Sequence, residues 1–269
     1  MKKMFQISSL TLVFLFSMFI HAHPTEAPSK KSKTYVLVHS DWLGAWQWQQ
    51  VAKTLEAAGH TVITPDLAGH GSDKTPASDI TMETYVNQLV VILDSQQEKV
   101  VLVGHSFNGI AISIVAELRP KKINRLVYLT AFLLPNGASF YDAVQGVPDS
   151  KAFEHFFLSE DQTQAFVKAE EMQNAFAHDI PAEAFNQAKV YIVPEPAAPL
   201  GYKLEVTDAV FGEIPKYYIE CTADRAIPIS AQRSMYEGKV KKVFTLNSSH
   251  TPNFSQPDKL AAILLEVIQ

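Results

Sequence analysis

Residues Val100–Val103 (VVLV) form an unbroken apolar run that leads into Gly104-His105-Ser106-Phe107-Asn108-Gly109. A run without a polar position suits a strand covered on both faces, as in the middle of a parallel sheet. Asn108–Leu118 then has the apolar content of a helix that stops at Pro120. A buried strand passing through a Gly-Ser turn directly into a helix restricts the chain to the α/β class. Such a turn lifts the Ser106 hydroxyl clear of the sheet, and the helix N-terminus beneath it favours developing negative charge. The pattern G-x-S-x-G would place Gly at position 108. This chain has Asn108, with Gly109 one place later. Asn tolerates unusual backbone angles, but it is bulkier.

The rest of the chain repeats the alternation. Strands are predicted at Thr34–His39, Thr61–Pro65, Arg125–Thr130, Lys216–Glu220 and Lys242–Leu246. Helices are predicted at Trp46–Ala58 (ending at Gly59), Met82–Leu93, Ser230–Glu237 and Pro257–Ile268. The expectation is a mostly parallel sheet with helices on both faces. The alternation breaks over about 135–212, which is dense in Phe and Ala and reads as a helical cap inserted over the site. A length of 269 residues with 47% apolar residues fits one domain, 34–269, containing that insertion. The net charge is −5 and no basic run extends beyond Lys30–Lys33, which argues against nucleic acid as a partner. The lone cysteine, Cys221, cannot form an internal disulfide, and no Cys pair exists to hold a metal.

The first 22 residues read as a signal peptide: Lys2 and Lys3, the apolar run Leu10–Ile20, then Ala22 before a cut. The apolar run is too short for a spanning helix, so no membrane contact is expected after cleavage. Residues 23–33 read as a flexible lead-in. This layout predicts an exported protein, periplasmic or secreted.

A nucleophilic serine needs a base, and the base needs an orienting acid. His250 lies just past the last predicted strand and supplies the base. Asp224 follows Lys216–Glu220 and supplies the acid; the loop after Arg125–Thr130 offers no carboxylate. The oxyanion hole is expected from the N–H groups of Phe107 and Asp41. A carboxylate at position 41 would oppose a developing oxyanion, so the Asp41 side chain is expected to turn away, toward solvent or a donor. Ser40, Trp42 and Thr251 are candidate pocket residues. His105 is expected to pack under the turn, His70 to act as a loop hydrogen-bonder, and Trp46 and Trp48 to be core. Of Phe153, Phe156, Phe157, Phe166, Phe176 and Phe185, some could line an acyl pocket and most are cap core. Cys221 reads as buried and inert.

The segments VLVHSDWLGAWQW, DLAGHGSD, VLVGHSFNG, LVYLTAFLLPNG, YIECTADRAIP and SSHTPNFSQPDKLA together resemble the α/β-hydrolase superfamily. More narrowly, they resemble the branch holding plant methyl-ester hydrolases, hydroxynitrile lyases and related bacterial esterases. The resemblance implies the α/β-hydrolase fold, with Ser106, Asp224 and His250 at the triad positions and Asp41 and Phe107 at the oxyanion-hole positions. Esterases of this branch usually have Gly where this chain has Ser40. The lyases have a hydroxyl residue there, but also a Lys where this chain has Thr251. Half of the lyase pair is therefore absent. The expected activity is hydrolysis of small or medium carboxylic esters, with no cofactor and no metal. The alternatives are cyanohydrin or C–C cleavage on the same triad, and ligand binding without catalysis. The sequence sets neither the ester nor the oligomeric state, monomer or homodimer.

Overall fold

In the computed structural model, the described residues are 32–145 and 147–269. The signal-peptide segment and most of the lead-in lie outside them. In chain order the main elements are β1 (Thr34–Val38), α1 (Gln49–Ala57), β2 (Thr61–Ile63), α2 (Met82–Ser95), β3 (Val100–His105), α3 (Gly109–Leu118) and β4 (Ile123–Leu129). An insertion follows, with short helices α4 (Phe140–Val144), α5 (Lys151–Glu154), α6 (Met172–Phe176) and α7 (Ala182–Ala188). Between them lie strands β5 (Phe156–Leu158), β6 (Gln164–Val167) and β7 (Glu195–Pro196). The chain ends with β8 (Lys216–Cys221), α8 (Ile229–Tyr236), β9 (Lys242–Leu246), α9 (Pro252–Ser255) and α10 (Pro257–Val267).

The main sheet has the order β2-β1-β3-β4-β8-β9, and every described pairing in it is parallel. Its two faces carry alternate residues, as the two-residue period of a strand requires. Val36, Val38, Val100, Leu102, Leu126 and Tyr128 face the side packed by α2 and α3. Tyr35, Leu37, Val101, Val103, Val127 and Leu129 face the other core, together with residues of α1 and α10. Both faces are buried, which is why β3 reads as an unbroken apolar run.

The insertion differs from the helical cap expected of it. Its helices are short, and β5, β6 and β7 form an antiparallel three-stranded sheet. Within it, Phe157 and Phe166 are cross-strand partners whose rings stack at 5.3 Å. Ser159 and Thr163 both donate hydroxyl hydrogen bonds to Asp161, which builds the turn joining β5 to β6. Phe and Ala do not distinguish a three-residue strand from a helical turn, so the periodicity alone could not resolve this sheet.

Candidate active site

The site forms at the carboxyl ends of the parallel strands, where an open α/β sheet leaves its crevice. The chain leaves β3 at Ser106, whose φ of +55° lies in the left-handed region. Such strain in a non-glycine residue marks a turn held by its surroundings. Phe132 N–H donates to Ser106 O at 3.0 Å and ties the turn to the end of β4.

The glycines flanking Ser106 are required by close approach. A Cβ at Gly104 would meet Ile112 Cδ1 at 2.8 Å and Asn108 O at 2.9 Å. One at Gly109 would meet Phe132 O at 2.6 Å. Position 108 has φ −70° and ψ 2°, so it does not need glycine. Instead Asn108 Nδ2 donates to His39 O at 2.7 Å and joins the turn to the loop after β1. The departure from G-x-S-x-G is therefore a shift of the sterically required glycine by one residue.

The other two expected residues come from neighbouring strand ends. Asp224 follows β8, and His250 follows β9. His250 Nδ1 lies 2.7 Å from Asp224 Oδ2 and both side chains are fully buried. With the carboxylate accepting, Nδ1 carries the proton and Nε2 is left as the acceptor. Asp224 is itself held on all sides. Its Oδ1 accepts the N–H groups of Ala226 and Ile227 at 2.7 and 2.9 Å, and its Oδ2 accepts the Thr130 hydroxyl at 2.5 Å. Gln232 braces the same loop, donating to Ile227 O at 2.7 Å and Cys221 O at 3.0 Å. His105 lies under His250 and donates from Nε2 to His250 O at 2.9 Å, while Gln47 Nε2 donates to its Nδ1 at 3.1 Å. Burial, with the nearby His250, holds His105 well below the ordinary imidazole pKa. It stays neutral and positions His250, as its expected packing role suggests.

His250 Nε2 is buried and makes no hydrogen bond. Ser106 instead lies against Asp41, whose ionised form its hydroxyl favours. The Asp41 side chain takes the second of its two expected placements. It finds a donor, the Ser40 hydroxyl at 2.6 Å, but it is only 3% exposed and does not reach solvent. Burial, and then the charge of Glu195, push its pKa up to about 6. Ser40, His250 and Ser106 pull the other way.

The cap grips the same loop from above. Trp42, at φ +60°, donates its N–H to Glu195 Oε2 at 3.1 Å and its indole N–H to Ala165 O at 2.9 Å, and its carbonyl accepts Val193 N–H at 3.0 Å. Glu195 also accepts from His70 Nε2 at 2.7 Å and from the Tyr85 hydroxyl at 3.2 Å. Burial alone would lower the His70 pKa. The Glu195 charge and hydrogen bond and the Ala68 carbonyl outweigh it and raise it. His70 is thus a cap anchor as well as the loop hydrogen-bonder expected.

Ser40, Asp41, Trp42, Leu43, Trp46, Phe176, Phe185, Ile192 and Thr251 are among the residues lining an apolar pocket between the loop after β1 and the cap. Neither Lys nor Arg lines it. Trp46 is a pocket wall rather than the core residue expected, stacked on Phe254 at 5.4 Å. Trp48 is core. Of the six cap phenylalanines, Phe176 and Phe185 reach the pocket, while Phe153 and Phe156 pack with Phe140. The Thr251 hydroxyl donates to Phe176 O at 2.8 Å. Cys221 is fully buried. Among the described residues, no group of His, Cys, Asp or Glu is arranged to hold a metal, and no helix is long and apolar enough to cross a membrane.

Sequence reasoning missed Thr130, Gln47, Gln232 and Glu195. Gln47, between two tryptophans, carried a signal as a polar residue inside an apolar segment. Thr130 and Glu195 act through contacts distant in sequence, and Gln232 through contacts with the loop 5 to 11 residues before it.

Residues 35–263 match the profile of the alpha/beta hydrolase family. The chain belongs to that family. Curated relatives of this hydrolase are methylesterases from Arabidopsis thaliana. Methylesterase 7 is 32% identical over 249 residues, covering 87% of this chain and 96% of that protein. The putative chloroplastic methylesterase 11 is 35% identical over 246 residues, covering 87% of this chain. The chain spans 63% of that relative's length and 57% of the putative chloroplastic methylesterase 15. Among solved structures, a pyrethroid hydrolase from Sphingobium faniae JZ-2 superposes with a TM-score of 0.79 at 29% identity, covering 87% of this chain and 96% of its own. Polyneuridine aldehyde esterase superposes with a TM-score of 0.79 at 26% identity, covering 89% of this chain and 100% of its own.

Proposed function

We propose that this hydrolase cleaves small or medium carboxylic esters with an apolar acyl or alcohol group, through a serine acyl-enzyme. The observation that carries the reading is the buried His250–Asp224 pair at 2.7 Å, with Nε2 unpartnered at the end of the sheet that also presents Ser106. The methylesterase relatives and esterase neighbours support the ester as substrate class.

Ser106 Oγ attacks the ester carbonyl carbon as its proton passes to His250 Nε2. The tetrahedral oxyanion collapses, breaking the bond to the alcohol oxygen, which takes that proton and leaves. Water attacks the acyl-enzyme, gives a proton to His250, and the released Ser106 oxygen takes it back as the carboxylic acid departs. Asp224 fixes the His250 tautomer and stabilises the imidazolium, and the N–H groups of Asp41 and Phe107 hold the oxyanion. The cycle needs no cofactor. The pocket without Lys or Arg, and a Thr251 hydroxyl committed to Phe176, offer no cation for a cyanide leaving group and favour hydrolysis over cyanohydrin cleavage.

The leader Met1–Ala22 supports export to the periplasm or beyond, with cleavage after Ala22. The test of activity is turnover of p-nitrophenyl esters by the wild type beside Ser106→Ala and His250→Ala. Loss in both variants is expected, and retained turnover in Ser106→Ala would refute the mechanism.

A further inference from the structure

The Asp41 side chain has no part in the mechanism above, which uses only its backbone N–H. It is buried, lines the apolar pocket with Ser40, and lies against the Ser106 hydroxyl. One carboxyl oxygen is occupied by the Ser40 hydroxyl at 2.6 Å. A carboxylate there would have to share a low-dielectric site with the oxyanion, and like charges in such a site do not coexist. A neutral carboxyl has a proton to donate and reverses the effect. A carboxylic acid kept neutral in an apolar site serves as an oxyanion donor in ketosteroid isomerase.

We propose that Asp41 is a further catalytic residue, whose neutral carboxyl donates a third hydrogen bond to the oxyanion formed when Ser106 attacks the ester. The role rests on the reading of Ser106 as nucleophile. The ionised carboxylate works against the reaction twice. Its charge is favoured by the Ser106 hydroxyl, which draws that hydroxyl toward Asp41 while His250 Nε2 stands unpartnered, and the same charge opposes the oxyanion.

The groups facing Asp41 come from four elements. Glu195 on β7 disfavours its ionisation, while His250 after β9 and the hydroxyls of Ser40 and Ser106 favour it. The charge of Asp41 in turn helps raise the pKa values of His70 and Tyr85, the two side chains paired with Glu195. The balance leaves Asp41 near a pKa of about 6, so the active neutral form is present at mildly acidic pH and lost above it.

The test is the pH profile of kcat/KM on p-nitrophenyl acetate for the wild type, Asp41→Asn and Asp41→Ala, with complete fluorophosphonate labelling of Ser106 in parallel. The wild-type profile is expected to fall on the alkaline side of about pH 6. Asp41→Asn, whose amide still donates but does not ionise, is expected to lose that limb and to exceed the wild type at pH 8 by about tenfold or more. Asp41→Ala is expected to lose the limb too, but to plateau about a hundredfold below Asp41→Asn, the cost of one oxyanion donor. If Asp41→Asn keeps the alkaline limb, or Asp41→Ala matches it at the plateau, the carboxyl is not an oxyanion donor. Labelling separates the two readings. A wild type that labels while Asp41→Asn keeps the limb removes the Asp41 role alone. A folded wild type that does not label removes the nucleophile and this role with it.

Discussion

The wall of the site built by the sheet and the wall built by the cap are held by different forces. On the sheet side, Ser106, Asp224 and His250 sit at strand ends whose positions are set by parallel pairing, two close glycine approaches and a run of short hydrogen bonds to Asp224. On the cap side, Phe176, Phe185 and Ile192 are placed by apolar packing of short helices, and a buried cluster, His70–Glu195–Tyr85, ties the cap to the loop after β2 and to α2. Hydrogen-bonded strand ends tolerate little displacement, as reaction geometry demands. Apolar packing can be re-cut by substitution while total volume is kept. Under the proposed mechanism, the difference assigns chemistry to the sheet and specificity to the cap.

Substitutions can break that division, and the largest effect is expected on the sheet side. Ser106→Ala should lower ester turnover by about three orders of magnitude or more while leaving the thermal midpoint close to wild type. A large loss of stability instead would mean that the serine is structural. Next comes the buried charged tie of the cap at Glu195. Glu195→Ala leaves His70 buried without its carboxylate and should cost about 3–5 kcal/mol by urea unfolding, whereas Glu195→Gln, which can still accept from Trp42, should cost less. His70 is held above its ordinary pKa when folded. Its contribution is therefore complete below the unfolded imidazole value of about 6.5 and disappears as pH rises through the raised value. The gap in thermal midpoint between the wild type and His70→Gln should accordingly narrow from pH 6 to pH 9. A gap that widens over that range would contradict the ion pair.

Smaller effects sharpen the comparison. Gly109→Ala drives a Cβ toward Phe132 O and should cost about 1–3 kcal/mol, while Asn108→Ala, at a position whose backbone accepts any residue, should cost less, about 1 kcal/mol for its hydrogen bond to His39 O. The reverse order would undo the account of the shifted motif. On the cap side, Trp42, Met172, Phe185 and Ile192 line both the pocket and a neighbouring cleft that also includes Phe166 and Lys189. Phe185→Ala should open one into the other and shift the preference toward longer acyl chains by about tenfold in kcat/KM, without changing the rate of fluorophosphonate labelling.

The same division governs what could be read from the sequence. The core strands were legible because burial on both faces leaves runs such as VVLV, and the glycines around Ser106 because a close approach leaves no other residue. The His250–Asp224 pair followed from chain order at successive strand ends. The β5–β6–β7 sheet was not legible, because two- to four-residue strands are too short to show a period. Nor was Glu195, whose partners Trp42, His70 and Tyr85 lie at least 110 residues away in sequence. The position of Asp41 was legible but its direction was not, because the buried Ser40 hydroxyl and Glu195 charge that set its environment are features of the folded site.

The central claim is that Ser106 carries the acyl group between two half-reactions. Rapid acid quench of the wild type during turnover of p-nitrophenyl acetate, followed by peptide mass spectrometry, tests it most directly. The account predicts an acetyl group on the peptide containing Ser106 that disappears once substrate is exhausted. An acetyl group on another residue alone, or turnover with none on any peptide, would contradict it.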